Sequence, residues 1–280
     1  MIRVKAPAKV NLFLEITGRR RDGYHTLSTL FQTISLADEL TFSTANELSL
    51  RCSDASLPTD ERNLVMRAAV RLRDYLGERR GALMNLRKEV PVGAGLGGGS
   101  SDAAAALLGL LRLWRLRLSS ARLRGLATQL GADVPFFLRG GTCAAGGIGE
   151  KLRPHSALAR TWLVLVFPGF GVATKDAYSR VRLPIGLRRS IQPMIRLLNR
   201  PNRAWKKQLF NRFEEFVFPD YPALERLKNE LMESGAEAAL MSGSGSSVFG
   251  VVPSAATGRQ ILAKLKSNYP RSWLVHTIGR

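Results

Sequence analysis

The chain has 280 residues and is 45% hydrophobic, which is ample for a globular protein with a buried core. Its longest run of apolar residues and glycine, Ala103 to Leu111, is too short to span a membrane, and the N-terminus has no signal-peptide core. The two cysteines, Cys52 and Cys143, give neither a disulfide framework nor the spacing of metal ligands. We therefore expect a cytoplasmic protein with no membrane partner.

The composition is strongly basic, with a formal net charge of +20. Basic residues cluster at Arg19–Arg21, along Arg112–Arg124 and along Arg180–Lys207, and the last stretch contains no Asp or Glu. Such charge is typical of a solvated surface, of a polyphosphate-binding protein or of a nucleic-acid-binding protein. The basic residues are not interleaved with an aromatic series, and the chain has no nucleic-acid-binding motif, so a nucleic-acid partner is not expected. The role of segment 180–207 stays open.

The first half of the chain begins with β-forming residues, which predict strands over Arg3–Lys5, Val10–Thr17, Tyr24–Ile34 and Glu39–Ser43. Apolar residues at helical spacing predict a helix over Asn63–Leu76. The elements that follow are a strand over Ala82–Lys88, a helix over Ala103–Trp114, and a helix from Ser119 or Ser120 to about Gly131.

Glycines from Gly140 to Gly149, followed by Pro154, indicate a boundary. Beyond it, the pattern predicts strands over Thr161–Phe167, Ala238–Met241, Ser247–Val252 and Trp273–Ile278. It predicts helices around Thr174–Arg180, Arg188–Leu198, Pro222–Ser234 and Thr257–Ser267. Because strands and helices are mixed without regular βαβ alternation, we expect an α+β fold with two lobes, divided at residues 1–152 and 153–280.

The glycine-rich run from Pro91 to Ser101 leads from a predicted strand into a predicted helix, an arrangement that suits phosphate binding. It is not a P-loop, because no Lys-Ser/Thr pair follows its last glycine. It is not a dinucleotide-binding loop, because no Asp or Glu occurs between Ala103 and Ala132. The partner motifs of protein kinases are also missing. The remaining alternative is a tight turn that needs glycine only for packing.

Other polar residues are candidates for chemistry, each with a structural alternative. Lys9 is either a surface lysine or a catalytic cation. Asp133 precedes an apolar run, where it either caps or pairs, or acts as a base in a partly dry pocket. Asp102 lies at the helix start, where a favourable contact with the helix dipole explains it. Ser100 and Ser101 are able to bind phosphate, although helix capping explains at least one of them.

Five short segments together resemble the galactokinase–homoserine kinase–mevalonate kinase superfamily. Three resemble its general motifs: Ala6–Leu12, Pro91–Ser101 and Ser242–Ser247. Two more, Gly18–His25 and Gly131–Phe137, resemble the members that phosphorylate a cytidyl-bearing alcohol in the non-mevalonate isoprenoid pathway. The resemblance covers nearly the whole chain and is weakest from Arg180 to Lys207.

The resemblance implies a two-lobed small-molecule kinase, with a ribosomal-protein-S5-like lobe over 1–152 that binds ATP and a ferredoxin-like, substrate-side lobe over 153–280. Lys9 and Asp133 would be catalytic: Asp133 would take the proton of the substrate's 2-hydroxyl, and Lys9 would pair with Asp133. ATP would be bound by Pro91, Val92, Gly93, Ala94, Gly95, Leu96, Gly97, Gly98, Gly99, Ser100 and Ser101. The substrate would be bound by Asn11, Tyr24, His25, Thr174 and Tyr178.

The same resemblance implies ATP as co-substrate with Mg²⁺, whose direct ligands the sequence does not identify. The substrate would carry a cytidine diphosphate group, with its cytosine stacked between Tyr24 and Tyr178. We expect a monomer or a weak homodimer. Two alternatives remain: another kinase of the superfamily, acting on mevalonate or homoserine, or a non-catalytic protein that binds an anionic polymer.

Overall fold

The computed structural model describes residues 1–182, 187–198, 200 and 204–279. The strands are β1 (Ile2–Arg19), β2 (His25–Ala45), β3 (Leu48–Cys52), β4 (Gly81–Arg87), β5 (Thr142–Gly146), β6 (Lys151–Pro154), β7 (Trp162–Val166), β8 (Phe210–Asn211), β9 (Ala238–Met241), β10 (Val248–Val252) and β11 (Ser272–His276). The α-helices are α1 (Leu64–Leu76), α2 (Gly98–Leu113), α3 (Ser120–Leu130), α4 (Val134–Phe137), α5 (Thr174–Ser179), α6 (Gln192–Leu197), α7 (Glu214–Val217), α8 (Pro222–Glu233) and α9 (Ala255–Leu265). A 3₁₀ helix covers Ala204–Gln208. Within the described ranges, no helix combines the length and the apolar character needed to cross a membrane.

The chain folds into two compact units, and the segments of the two units alternate along the sequence. The first unit consists of Met1–Ala8, Leu36–Pro91 and Gly97–Arg139. The second unit consists of Lys9–Ser35, Val92–Leu96 and Gly140–Arg280. Strands β1 and β2 each contribute one part to each unit. The division at residue 152, expected from the sequence, stays a prediction.

The first unit is built on strand β4. This strand pairs in parallel with β3 and antiparallel with the C-terminal part of β2, so that Met84 lies opposite both Leu50 and Phe42. Helix α2 packs against α1, α3 and α4. It passes so close to the sheet that a Cβ atom at Gly109 would collide with the ring of Phe42. A glycine inside this helix is therefore required by packing.

The second unit contains a four-stranded antiparallel sheet in the order β11-β7-β10-β9. Helices α8 and α9 pack against it through buried residues such as Leu227, Leu231 and Ile261. The N-terminal part of β2 pairs with β5, and β8 pairs in parallel with β1. The turn between β9 and β10 is the small-residue segment Ser242–Ser247, which we call the serine loop.

Local sequence signals explain several helix ends. The side chains of Asn63, Ser119 and Ser254 accept backbone hydrogen bonds at the starts of α1, α3 and α9. Gly77 ends α1 in the left-handed conformation. Helix α2 differs, because its N-cap is Gly97, which has no side chain to offer. Its first amide groups therefore receive no side-chain cap.

The α+β fold expected from the sequence is confirmed, with local differences. The two strands predicted before and after Pro7 form one strand, because the φ angle of proline suits an extended chain. Helix α2 begins at Gly98 rather than at Ala103. The glycine-rich boundary contains the hairpin of β5 and β6. Parts of segment 180–207 lie outside the described residues.

Candidate active site

The glycine-rich run forms a loop between β4 and α2, and its glycines are required by backbone conformation. Gly93, Gly95 and Gly97 have φ angles of 67°, 74° and 70°, a region that residues with a Cβ atom rarely adopt. Gly97 is also the N-cap of α2. The loop therefore ends at the positive end of a helix whose first amides lack a side-chain cap, as an anion site requires.

Three consecutive carbonyl groups anchor this loop. Ala94 O accepts the Ser247 N–H at 3.1 Å, and Leu96 O accepts the Lys9 N–H at 2.9 Å. Between them, Gly95 O accepts the Ser242 hydroxyl at 3.0 Å. Because the C=O and N–H of a planar trans peptide point in opposite directions, the N–H groups of the same three peptides point away from their anchors. The amide donors of Gly95, Leu96 and Gly97 are therefore directed away from the groups that hold the loop.

The side chain of Asn211 holds the serine loop in place. Its amide donates to Met241 O at 2.8 Å and to Gly243 O at 2.7 Å. The two loops meet backbone to backbone, since a Cβ atom on Gly95 would overlap the carbonyl oxygen of Ser242. Ser244 and Thr174, a predicted substrate residue at the start of α5, have hydroxyl oxygens 3.2 Å apart.

Lys9 is buried in the second unit within a chain of hydrogen bonds. Its Nζ donates to Asn11 Oδ1 at 2.6 Å, and Asn11 Nδ2 donates to Thr29 Oγ1 at 2.8 Å. The Thr29 hydroxyl in turn donates to Phe13 O at 2.7 Å. Because the Thr29 hydroxyl donates its only proton to Phe13 O, it must accept a hydrogen bond from the Asn11 side-chain NH₂ group. The oxygen of the Asn11 side chain therefore faces Lys9. The structure thus joins two predicted site residues, and it adds Thr29, which no sequence motif indicated.

Asp133 lies directly before α4 in the first unit and is half-buried. Its side chain makes no capping hydrogen bond to this helix, so capping does not explain the residue. Lys9 belongs to the second unit, and its pairing with Asp133 stays a prediction. Ser101 donates its hydroxyl proton to Pro7 O at 2.7 Å, whereas Ser100 is half-buried in the first turn of α2.

The predicted substrate residues around His25 form an aromatic cluster. The rings of His25 and Tyr178 are stacked, with centroids 5.3 Å apart and planes 18° apart. Tyr178 also meets Phe213 edge-on at 4.9 Å. Burial, with a contribution from the charge of Arg19, lowers the pKa of His25, which favours a neutral imidazole. Tyr24 is 62% exposed, so its ring is accessible to a ligand.

A buried ion pair anchors the described part of the basic segment. Arg212 donates to Glu15 through Nε at 2.8 Å and through Nη2 at 2.7 Å. Glu15 also accepts the Arg189 N–H at 2.8 Å, and the Arg189 guanidinium lies 4.5 Å from the centroid of the Phe210 ring. These residues were not predicted, because the pairing joins β1 to a point almost 200 positions away.

A second buried cluster was also not predicted. Lys88 Nζ lies 2.5 Å from Asp38 Oδ2 and 2.8 Å from Asp102 Oδ2. Burial raises the pKa of Asp102 to about 7, although the positive charge of Lys88 opposes this rise. Burial would lower the pKa of Lys88, but the two carboxylates outweigh it and raise the value. Asp102 is the fifth residue of α2. The sequence suggested only a favourable contact with the helix dipole, whereas in the structure Asp102 also binds Lys88.

Comparison with known proteins agrees with these motifs. Residues 63–141 match the model of the GHMP kinases N terminal domain, and residues 188–271 match that of the GHMP kinases C terminal domain. A 4-diphosphocytidyl-2-C-methyl-D-erythritol kinase of Chlorobium phaeobacteroides (strain BS1) is 47% identical over 256 residues, covering 89% of this chain and 88% of the relative. The kinase of the same name from Prosthecochloris aestuarii (strain DSM 271 / SK 413) is 42% identical over 276 residues, covering 96% and 95%.

A solved structure gives the same result. The crystal structure of a 4-(cytidine 5'-diphospho)-2C-methyl-D-erythritol kinase superposes with a TM-score of 0.87 at 37% identity and covers 100% of both chains. Sequence and fold therefore agree over the full length of the chain. The chain belongs to the 4-diphosphocytidyl-2-C-methyl-D-erythritol kinase family of the GHMP kinases.

Proposed function

We propose that this protein transfers the γ-phosphoryl group of ATP to the 2-hydroxyl of 4-diphosphocytidyl-2-C-methyl-D-erythritol. The observation that carries the proposal is the anchoring of the glycine loop by the carbonyls of Ala94, Gly95 and Leu96. This anchoring turns the corresponding amides toward a ligand, next to the uncapped start of α2. The relatives named above supply the identity of the alcohol.

In this proposal the loop Pro91–Ser101 binds the ATP phosphates, mainly through backbone N–H groups. Phosphoryl transfer needs little covalent chemistry from the protein, so positioning and charge stabilisation provide most of the acceleration. Asp133 accepts the proton of the attacking 2-hydroxyl. Lys9, oriented by Asn11, supplies positive charge to the transferring phosphoryl group.

Mg²⁺ accompanies the nucleotide in this proposal. It commonly binds proteins through one or two carboxylates and leaves most of its coordination to water and phosphate oxygens. The described ranges contain no group of three or more His, Cys, Asp or Glu residues suited to hold a metal ion. This donor set fits an ion that arrives with ATP rather than one held in a protein cage, and we assign it no direct ligand.

The cytidine end of the substrate would bind at Tyr24, His25, Thr174 and Tyr178. A neutral His25 imidazole has one donor and one acceptor for the edge of a cytosine. Because His25 already covers one face of Tyr178, a base that enters between Tyr24 and Tyr178 must displace the imidazole or stack on its outer face. Base–aromatic stacking contributes roughly 1–3 kcal/mol per base.

The test is an assay of ADP release with three alcohols offered separately: the cytidyl substrate, mevalonate and homoserine. We expect turnover with the cytidyl substrate alone. Turnover with mevalonate or homoserine would assign the chain to another activity of the superfamily. Binding of an anionic polymer without turnover of any alcohol would favour a non-catalytic role.

Three further features belong to the same proposal. We place the ATP-binding lobe at residues 1–152 and the substrate-side lobe at 153–280. We expect a monomer or a weak homodimer, which sedimentation across a range of concentrations would resolve. The protein would work in the cytoplasm, where its nucleotide substrates are found.

A further inference from the structure

One buried charge cluster of the first unit has no part in the proposed chemistry. It consists of Lys88, Asp38 and Asp102, whose side chains are 7%, 0% and 4% exposed. Surface ion pairs of this length contribute little to stability, but three charges removed from water interact strongly and require a definite geometry. The cluster is therefore a rigid point within the unit.

The position of this rigid point relates directly to the glycine loop. Asp38 Oδ1 accepts the N–H groups of Glu89 at 2.6 Å and Val90 at 2.8 Å, the two residues before Pro91. Asp102 belongs to α2, which begins where the loop ends. Lys88 joins the two carboxylates, so one cation connects the chain entering the loop to the helix leaving it.

Packing at the helix start supports the same connection. A Cβ atom at Gly98 would lie 3.0 Å from Val90 Cγ1 and 3.4 Å from Lys88 Nζ. The first residue of α2 therefore rests directly on the cluster. A displacement of Lys88 would reach the helix start without passing through any other element.

Stability alone explains the cluster poorly. Replacing a buried ion pair by apolar residues of similar volume is often neutral or stabilising, because desolvation offsets the attraction between the charges. Asp102 Oδ1 is buried and accepts no hydrogen bond from the described residues, which adds a further penalty. The cluster carries these penalties but lies at both ends of a binding loop. Holding that loop in one geometry therefore explains the cluster better than stability does.

We propose that Lys88, Asp38 and Asp102 form a clamp that fixes both ends of the glycine loop and thereby positions its amides for the phosphates of ATP. The proposal rests on the proposed function, since it takes the loop as the ATP site. The three are positioning residues that act through the backbone of the loop. Their loss should weaken nucleotide binding and leave the alcohol site intact.

Two variants test the clamp. Asp102→Asn keeps the shape of the side chain and removes one charge. Lys88→Met combined with Asp38→Asn and Asp102→Asn removes all three charges, so neither an ammonium nor a carboxylate is left buried and unpaired. The amide introduced at position 38 keeps an oxygen for the two backbone N–H groups. Leu72→Val, fully buried in α1 of the same unit, is the control for a general loss of packing.

The main readout is the Kd of a non-hydrolysable ATP analogue, measured by calorimetry without the alcohol. KM for the alcohol and the melting temperature are measured alongside it. We expect Kd to rise about 10-fold in the charge-free variant, which corresponds to a released loop that adopts the binding geometry about one tenth of the time. KM for the alcohol should hardly change, and Leu72→Val should bind the analogue like the wild type.

Two outcomes would overturn the clamp: wild-type analogue affinity in the folded charge-free variant, or an equal loss of affinity in Leu72→Val. The proposed function can fail separately. If the wild type does not phosphorylate the cytidyl alcohol but the charge-free variant loses analogue affinity, the clamp stands and the substrate assignment falls.

Discussion

Gly95→Ala is the sharpest single perturbation of the glycine loop. The residue has a φ angle of 74°, and its carbonyl is anchored by the Ser242 hydroxyl. An added Cβ atom would overlap the carbonyl oxygen of Ser242 and lie 3.0 Å from that of Gly245. Both neighbours are backbone atoms, so neither can move by changing a rotamer. The two loops have to separate.

The size of the effect follows from two contributions. A residue with a Cβ atom in the left-handed region costs about 1–2 kcal/mol at any position of the chain. Separation of the loops adds a displacement on the order of 1 Å, which costs about 10²-fold in kcat/KM, or roughly 2.8 kcal/mol. The second contribution falls on ATP binding, because the displaced peptides are those that present the amide donors.

Gly77→Ala is the matched control. Gly77 also has a positive φ angle, 62°, but a Cβ atom there would meet nothing within 4 Å. Both variants should therefore share the conformational penalty, and only Gly95→Ala should lose kcat/KM for ATP. The assay is steady-state ADP release at saturating alcohol, with thermal unfolding recorded in parallel. If Gly95→Ala retained more than about one third of the wild-type kcat/KM, the backbone-to-backbone contact would not position the ATP site.

Three further predictions concern other parts of the molecule. Asp133→Asn should lower kcat by at least about 10²-fold and leave ATP-analogue affinity unchanged, whereas a folded variant with half the wild-type kcat would show that another group is the base. Thr29→Val should lower kcat without changing KM for ATP, because the side-chain amide of Asn11 loses the acceptor that sets its orientation. Thr29→Ser keeps that acceptor and should retain wild-type activity. Equal activity of the valine and serine variants would refute this role. Because the pKa of Asp102 is raised to about 7 in the folded state, its protonation stabilises the fold fully below about pH 4, and this contribution is lost as the pH rises through 7. The melting temperature of the wild type relative to Asp102→Asn should therefore fall between pH 5 and pH 8, and a constant difference would contradict the shift.

The sequence predicts features that depend on neighbouring residues. Helix α1 is confirmed because its apolar spacing, its Asn63 cap and its Gly77 terminator all act within one or two turns. The start of α2 was placed five residues late, because the low helix propensity of glycine argues against a helix over Gly98 and Gly99. In the structure Gly98 lies so close to Val90 that a Cβ atom would be crowded there, a tertiary reason that a local pattern does not contain.

The same distinction between local and distant signals applies to the candidate site. Its chemistry-bearing residues, such as Lys9 and the glycine loop, lie in dense local motifs. Their supporting partners do not: Thr29 lies 18 residues from Asn11, and Asp38 lies 50 residues from Lys88. Such partners depend on strand register, which a single sequence specifies only weakly. A lysine shortly before a glycine loop and an aspartate just inside the following helix are the signal that indicates such a pair.

The contacts between β2 and the end of the chain have a consequence for biosynthesis. The Gln32 side chain donates to Ile278 O, Ile34 bridges to Thr277, and Ser35 accepts the His276 N–H. These C-terminal partners of the early strand leave the ribosome almost 250 residues after it. Folding of the second unit cannot be completed until these residues have been synthesised, and contacts so far apart in the sequence favour slow folding. Until then, this part of β2 lacks its C-terminal partners and is open to non-native pairing.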